Sequence, residues 1–328
     1  MTVIDVHTHM LTPGYIDLLK MHGENKYKVM KTKAGEPAVH LYGAPFMTLR
    51  DAMWDYDLRI RNMDKAGVDM AIVSLTSPNV YWGSEAISLN AASQVNDSMR
   101  EQQDLHPERI RWFTSLPWLY SDSAIQELNR TVKEGAVGVM VLANIDGKDL
   151  TDPLFTPVWQ AINRLELPVL IHPTAPQGVR DLHMDQYALV PPIGFTFDTT
   201  LAVSRMILDG FLDRYPGIKI IAAHGGGALP YLAGRLDICH ERIPACAEVI
   251  KENPSSYLQR IYYDTVVYDS GALDLCIKVA GSDENVLYGS DYPHNIGDMV
   301  GCLSRVNALP KDKAARIRGK NAERLFHL

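Results

Sequence analysis

Short apolar segments alternate with amphipathic segments along most of this sequence, and that alternation is the strongest constraint on its fold. Eight apolar runs have the length and β-branched content of strands that are buried on both faces. They cover residues 3–9, 68–75, 110–116, 137–142, 169–173, 218–223, 261–265 and 286–288. Eight such strands alternating with helices in 328 residues predict a single α/β domain over residues 1–328, a parallel (β/α)8 TIM barrel. A doubly wound open sheet is the alternative.

Helical patterns fill most of the intervals between the predicted strands. Helices are expected at residues 56–66, 87–106, 123–134, 157–165, 199–215 and 272–280. Residues 11–55 are different, because they show little sustained periodicity and are interrupted by several glycines and prolines. The sequence therefore predicts an irregular insertion after the first strand, roughly residues 11–55, that covers the mouth of a site.

Residues that can bind a metal end several of the apolar runs. His7 and His9 end the first run and are two positions apart, so in a strand their imidazoles point the same way. His172, His224 and Asp291 each stand at or just after the end of a later run. Because the carboxyl ends of barrel strands meet on one face, these five residues should converge despite their separation in sequence. This expected convergence favours the barrel over the open sheet.

Three imidazoles and a carboxylate suit an open site for a borderline metal such as zinc. The expected ligands are His7, His9, His172 and Asp291. The fourth apolar run, residues 137–142, contains no Lys, Asp or Glu that could bridge two ions. The sequence therefore predicts one metal ion per chain.

Each of these residues also has an ordinary structural explanation. A His-x-His pair near an N-terminus can be solvated, His172 can simply end a strand, and Asp291 can cap a helix. His224 precedes three glycines, a turn that lets backbone approach a ligand closely, and is expected to transfer protons. The alternatives for His224 are a fourth metal ligand or a neutral core histidine. Only the joint placement of all these groups at strand ends indicates a site.

The composition excludes several classes of function. A formal net charge of −7 argues against nucleic acid or an anionic membrane as a partner. The sequence shows no signal-peptide pattern and no apolar run long enough to span a bilayer. The four cysteines show neither the spacing of a Cys-x-x-Cys motif nor the density of a disulfide-rich protein. We therefore expect reduced thiols in a cytoplasmic protein. No Gly-rich dinucleotide motif is present, so no organic cofactor is expected.

The motifs, taken in order, resemble those of a known family. They are residues 4–9 (IDVHTH), 63–69 (MDKAGVD), 170–173 (LIHP), 223–227 (AHGGG), 234–237 (GRLD), 289–293 (GSDYP) and 321–326 (NAERLF). This set resembles the amidohydrolase superfamily, and within it the metal-dependent, non-oxidative decarboxylases of the aminocarboxymuconate-semialdehyde type. Residues 52–55 (AMWD) and 147–150 (GKDL) add to the likeness. The resemblance implies a carboxy-lyase on a TIM barrel.

The resemblance also implies a role for each candidate residue. The four expected ligands would bind zinc, with manganese as the alternative, and His224 would handle the proton, with Asp291 as the other candidate donor. Arg235 matches an arginine that, in the family, crosses a dimer interface and binds the substrate carboxylate in the neighbouring subunit. This implies a homodimer or a dimer of dimers. A helix-surface ion pair with Asp237 or Glu241 is the ordinary explanation for Arg235.

Two positions depart from the family pattern, and both are expected to line the substrate pocket. Met47 follows Phe46 where the family has an arginine, and His294 follows Asp-Tyr-Pro where those relatives have an aromatic residue. Loss of a guanidinium removes a carboxylate anchor, so the expected substrate is a small unsaturated or aromatic acid, less acidic than aminocarboxymuconate semialdehyde. The alternatives are a hydroxybenzoate-type decarboxylase and a metal-dependent hydrolase or hydratase using the same site. A catalytically silent binding protein is the rival from another class.

Overall fold

A computed structural model describes residues 2–24 and 26–328. At its centre, eight parallel strands lie side by side in the order in which they occur in the sequence. They are β1 (Ile4–Met10), β2 (Met70–Leu75), β3 (Ile110–Thr114), β4 (Gly138–Leu142), β5 (Pro168–His172), β6 (Lys219–Ala222), β7 (Tyr262–Asp264) and β8 (Val286–Leu287). All residues of β1, β2, β4 and β5 are buried, as expected for strands covered on both faces.

Hydrogen bonds between β1 and the end of β8 bring the two edges of the sheet together. The amide of Val6 donates to the carbonyl of Tyr288 at 2.9 Å, and the amide of Asp291 donates to the carbonyl of His7 at 2.8 Å. The eight strands therefore form a nearly closed barrel. The predicted TIM barrel is confirmed, and the doubly wound sheet is excluded.

Helices follow the strands and cover the outside of the barrel. They are α1 (Tyr56–Ala66), α2 (Glu85–Leu105), α3 (Ser121–Lys133), α4 (Thr156–Arg164), α5 (Phe195–Leu208), α6 (Leu229–Arg242), α7 (Ser270–Val279) and α8 (Met299–Asn307). Shorter helices are Phe211–Arg214, Pro254–Leu258, Lys311–Ala315 and Asn321–Phe326. The predicted bounds of α1 are confirmed: Asp55 accepts a hydrogen bond from the amide of Leu58 at 2.7 Å, and Gly67 ends the helix in the left-handed conformation.

One helical prediction needs correction, and helices α6 and α8 were not predicted. The single helix expected at residues 199–215 is interrupted, because Gly210 adopts a φ of 71° between α5 and the short helix Phe211–Arg214. Helix α6 was not predicted, since three glycines and Pro230 stand at its start. Proline is compatible with the first turn of a helix, where its missing N–H is not needed.

The insertion after β1 is regular, so the prediction of irregular chain was wrong. It contains a helix, Pro13–His22, and an antiparallel sheet of three strands, Tyr27–Lys31, Pro37–Leu41 and Ala44–Thr48. Each strand has five residues, and the first and third are partly exposed, so no sustained apolar alternation appears in the sequence. At the end of the insertion, Arg50 donates to Asn295 in the loop after β8 at 2.6 Å. The insertion therefore does lie beside the carboxyl end of a barrel strand.

Two further observations concern membranes and thiols. Among residues 2–24 and 26–328, no helix has the length and apolar character needed to cross a membrane. Cys239, Cys246, Cys276 and Cys302 are all free thiols.

Candidate metal centre

The carboxyl ends of β1, β5 and β6 and the loop after β8 bring four histidines together around Asp291. The Nε2 atoms of His7 and His9 are 3.1 Å apart, and Asp291 Oδ1 lies 3.4 Å from the first and 3.2 Å from the second. The ring of His172 is 4.5 Å from that of His9, and His224 Nε2 is 3.7 Å from Asp291 Oδ2. All five side chains are buried.

The geometry of the donor atoms suits a cation at the centre of this cluster. Ligand atoms of His7, His172, His224 and Asp291 all lie within 4.8 Å of one another, and so do those of His9, Asp291 and His294. Asp291 belongs to both groups. Its Oδ1 is buried and forms no hydrogen bond with any residue that the structure describes. Imidazole nitrogens and one carboxylate oxygen that face one another at these distances fit a divalent transition metal.

Three of the histidines are held in place through the ring nitrogen that faces away from the cluster. His7 Nδ1 is 2.5 Å from Asp264 Oδ2, His9 Nδ1 is 3.1 Å from Ser74 Oγ, and His172 Nδ1 is 2.8 Å from the carbonyl of Pro173. Such outer hydrogen bonds fix the orientation and tautomer of metal-binding histidines. His224 is different, because its buried Nδ1 has no hydrogen-bond partner among the described residues.

Asp264 is a functional residue that the sequence reasoning missed. It ends β7, is fully buried, and besides His7 it accepts hydrogen bonds from the amides of His224 and Gly225, both at 2.9 Å. One carboxylate therefore positions the His7 ring and the backbone of His224. The signal was present, since Asp264 stands at the end of a predicted strand as His172 does.

Arg59 is a second residue that the sequence did not reveal. It lies on α1 among charged residues, which suggests an exposed side chain, yet only 1% of its surface is accessible. Its guanidinium donates to Thr8 Oγ1 at 2.6 Å and to the carbonyl of His9. Arg59 thus holds the carboxyl end of β1 on which the two histidines are carried.

The charges of the site favour a bound cation. Burial on its own would lower the pKa of His7, but the neighbouring carboxylates of Asp264 and Asp291 raise it to about 10. Burial lowers the pKa of His9 to about 3. Burial would raise the pKa of Asp291, but the imidazoles around it hold that pKa well below its usual value. The carboxylates of Asp264 and Asp291 are therefore charged although both are buried, and a positive charge between them is stabilising.

The turn after β6 depends on its glycines. His224 itself has a φ of 55°, and Gly225, Gly226 and Gly227 follow with positive φ values. A Cβ atom on Gly227 would lie 2.3 Å from the carbonyl oxygen of Thr196. The three glycines let this turn pack tightly while the His224 side chain points at Asp291.

The remaining predicted residues lie in three different surroundings. His294 lies beside the cluster, with its ring 5.0 Å from that of His9 and its Nε2 2.9 Å from Thr76 Oγ1. Met47 is buried in the insertion sheet, where it pairs with Val39. Arg235 is exposed on α6 and forms no ion pair within the described chain.

Comparison with known proteins places this geometry in a family. The amidohydrolase family model matches residues 4–328. The chain belongs to the amidohydrolase family. It is 32% identical over 302 residues to the 2-amino-3-carboxymuconate-6-semialdehyde decarboxylase of Dictyostelium discoideum, covering 90% of this chain and 83% of that protein. It is 29% identical over 294 residues to the gamma-resorcylate decarboxylase of a Polaromonas strain, covering 85% and 90%.

A solved structure agrees with these relatives. The 5-carboxyvanillate decarboxylase of Sphingomonas paucimobilis superposes with a TM-score of 0.86 at 27% identity, covering 100% of this chain and 99% of that one. The predicted resemblance to amidohydrolase decarboxylases is confirmed. So is the predicted enzyme class, a carboxy-lyase, because these relatives are decarboxylases.

Proposed function

We propose that this enzyme uses one divalent metal ion, with zinc preferred over manganese, to decarboxylate a small aromatic or unsaturated acid. The acid would carry an oxygen or amino group near the carboxylate that is lost. The ligands would be His7, His9, His172 and Asp291. When bound, the metal supplies Lewis-acid chemistry that polarises the substrate's oxygen groups.

The observation that carries this assignment is the difference between His224 and the other three histidines. The Nδ1 atoms of those three histidines form hydrogen bonds with Asp264, Ser74 and the carbonyl of Pro173, as expected for metal ligands. The Nδ1 atom of His224 has no hydrogen-bond partner among the described residues. His224 Nε2 still faces Asp291 at 3.7 Å. An imidazole that borders the site without an outer partner suits a group that delivers a proton to the substrate carbon, with Asp291 as the other candidate donor.

An aromatic wall supports a planar substrate. The ring of Phe195, at the start of α5, is 6.5 Å from that of His172, and the ring of Phe46 from the insertion is 6.1 Å from Phe195 in an edge-to-face arrangement. Both are half-buried, so part of each ring faces open space. In this proposal Met47 extends the apolar wall, and His294, beside His9, contacts a polar substituent of the substrate.

The exposed face of α6 supports a shared dimeric site. Tyr231, Arg235 and Ile238 are spaced to lie on one side of that helix, where Tyr231 is 82% and Ile238 is 47% exposed. The ion pair that would explain Arg235 within one chain is absent from the described residues: Asp237 accepts from the amide of Ser255, and Glu241 faces Arg242. We propose that this face meets a second copy, as a homodimer or a dimer of dimers, and places Arg235 at the neighbouring pocket.

Metal loading and product analysis test the proposal. The protein reconstituted with zinc or manganese should hold about one ion per chain, and it should release carbon dioxide from a member of a panel that contains hydroxylated benzoates and aminocarboxymuconate semialdehyde. Chelation should abolish the release. Two ions per chain at full activity, or an active metal-free protein, would contradict the assignment. Hydrolysis of esters or amides without carbon dioxide release would favour a hydrolase.

Hybrid dimers test the role of Arg235. Arg235→Ala should lower kcat/KM by about ten- to a hundredfold while metal content stays normal, because a charged hydrogen bond to the substrate carboxylate is lost. Mixing it with His172→Ala under exchange conditions should restore about a quarter of normal activity, since each mixed dimer has one intact site. Arg164→Ala, an exposed arginine on α4, is the control. No recovery in dimers shown to be mixed would exclude a shared site.

A further inference from the structure

Helix α5 carries a buried carboxylate that lies outside the metal centre. Asp198 is only 4% exposed. Its Oδ1 accepts a hydrogen bond from Asn144 Nδ2 at 3.0 Å, and its Oδ2 accepts one from the amide of Thr174 at 3.0 Å. Among the described residues, no lysine or arginine forms an ion pair with Asp198, and Arg205 on the same helix pairs with Asp149 instead. The N–H groups of Asn144 and Thr174 are therefore what stabilise this buried charge.

A single peptide group connects Asp198 to His172. The N–H of Thr174 donates to Asp198, and the carbonyl oxygen of the same peptide group, that of Pro173, lies 2.8 Å from His172 Nδ1. A carbonyl oxygen can only accept, so His172 Nδ1 carries the proton and Nε2 keeps a free electron pair. His172 and Thr174 are 2% and 6% exposed, so water has little access to these bonds. Carboxylate, peptide group and imidazole thus form one continuous line of hydrogen bonds.

Hydrogen bonds in such a line polarise one another. The negative charge of Asp198 attracts the Thr174 proton, which increases the negative charge on the Pro173 oxygen and strengthens its bond with His172 Nδ1–H. A stronger outer hydrogen bond makes the other ring nitrogen a better metal ligand. His7 has the same arrangement without the peptide group, since its Nδ1 lies 2.5 Å from Asp264 Oδ2. Burial raises the pKa of Asp198 to about 6, so the carboxylate is ionised at about pH 8.

We infer that Asp198 is a positioning residue for His172 and acts through the peptide group between Pro173 and Thr174. It fixes the orientation of the imidazole and increases the affinity of His172 for a metal ion. This inference rests on the proposed function only in that His172 is taken as a ligand. Two of the proposed histidine ligands then have a buried carboxylate behind them, His7 by direct contact with Asp264 and His172 through a peptide group.

Metal binding tests Asp198 without requiring turnover. Asp198→Asn should weaken zinc binding about three- to tenfold in competition with a chelating dye at about pH 8. This loss is smaller than the roughly 10- to 100-fold typical of a direct outer partner, because the charge acts through a peptide group. The visible absorption of the cobalt-loaded variant should also change at saturating cobalt, since the imidazole becomes a weaker ligand. Asp198→Ser is a second uncharged variant, which keeps a hydroxyl acceptor and leaves room beside Asn144 for water.

Two control variants separate the proposed connection from other effects. Asp149→Asn removes a carboxylate that pairs with Arg205 and has no contact with the Pro173–Thr174 peptide group, so zinc affinity should stay within about twofold of the wild type. Asn144→Ala removes contacts with Asp198 and with the carbonyl of Ala175, but it keeps the charge and the bond from Thr174. Its zinc affinity should also stay close to normal.

The contrary outcomes concern Asp198 alone. Unchanged zinc affinity and an unchanged cobalt spectrum in the folded Asp198 variants would overturn the inference. A loss in Asn144→Ala equal to that in Asp198→Asn would reduce the role of Asp198 to loop packing, and an equal loss in Asp149→Asn would show a general effect of charge. Carbon dioxide release is measured separately. Weaker zinc binding in a protein that releases none therefore supports the inference and counts only against the proposed reaction.

Discussion

His224→Gln should keep about one metal ion per chain and lower kcat by 10²- to 10⁴-fold, the usual contribution of a general acid–base group. Glutamine preserves polarity and approximate size but cannot gain and release a proton near neutral pH. The histidine side chain faces Asp291 at 3.7 Å, while its outer nitrogen lacks a hydrogen-bond partner in the described structure. Metal analysis and steady-state kinetics on the same preparation measure both quantities.

One control variant and two contrary outcomes test the role of His224. His106→Gln, at the C-terminal end of α2 outside the barrel, should leave kcat and metal content unchanged. A fall in metal content of His224→Gln to near zero would make His224 a ligand. Turnover close to normal with full metal would make it a core histidine without a catalytic role.

Asp264→Asn should weaken metal binding by about 10- to 100-fold, since residues that orient a metal-binding histidine typically contribute that much affinity. The carboxylate is 2.5 Å from His7 Nδ1 and is fully buried, and burial alone would raise its pKa, but the adjacent His7 keeps that pKa below its usual value. Asparagine removes the charge and turns an N–H group toward backbone amides. Turnover should also fall at saturating metal, because the same carboxylate holds the amides of His224 and Gly225.

Competition with a chelating dye measures the metal affinity of Asp264→Asn. Asp213→Asn is the control, because Asp213 is also paired, with Arg260 and Tyr257, but on the outer helical layer. Equal metal affinity of Asp264→Asn and wild type would show that His7 needs no carboxylate to be a ligand. Reduced metal affinity with normal turnover at saturating metal would show that Asp264 orients His7 and that its contacts with the amides of His224 and Gly225 do not affect catalysis.

The convergence of the five side chains at the strand ends could be predicted, because β-strand geometry and barrel topology together determine the direction of each side chain. His7 and His9 share a face for local reasons, and parallel strands bring His172, His224 and Asp291 to the same end of the barrel. The role of Asp264 depends on a contact between side chains 257 residues apart in sequence, which no local pattern contains. Arg59 was missed for a similar reason, since only the folded structure shows that its guanidinium is buried and donates to the carbonyl of His9 in β1.

The insertion and α6 show the limits of periodicity in this chain. The three insertion strands are too short for an apolar pattern to emerge, and two of them are also partly exposed. Glycines and a proline mask the start of α6. Arg50 lies in the insertion, so its link to Asn295 follows only from the placement of that sheet over the barrel. The proposed role of Arg235 requires a second copy of the chain, and no pattern within one sequence shows where that copy lies.

Closure of the barrel between its first and last strands has a consequence for biosynthesis. Ser290 donates a hydrogen bond to the carboxylate of Asp5, a residue 285 positions away, and both are fully buried next in sequence to proposed metal ligands. A chain leaving the ribosome exposes His7 and His9 first, but Asp291 arrives only after all eight barrel strands have been made. If Asp291 and the histidines are the ligands, as proposed, native metal affinity arises only late in synthesis, and a nascent chain stalled before β8 would have the histidines without a site that retains the ion.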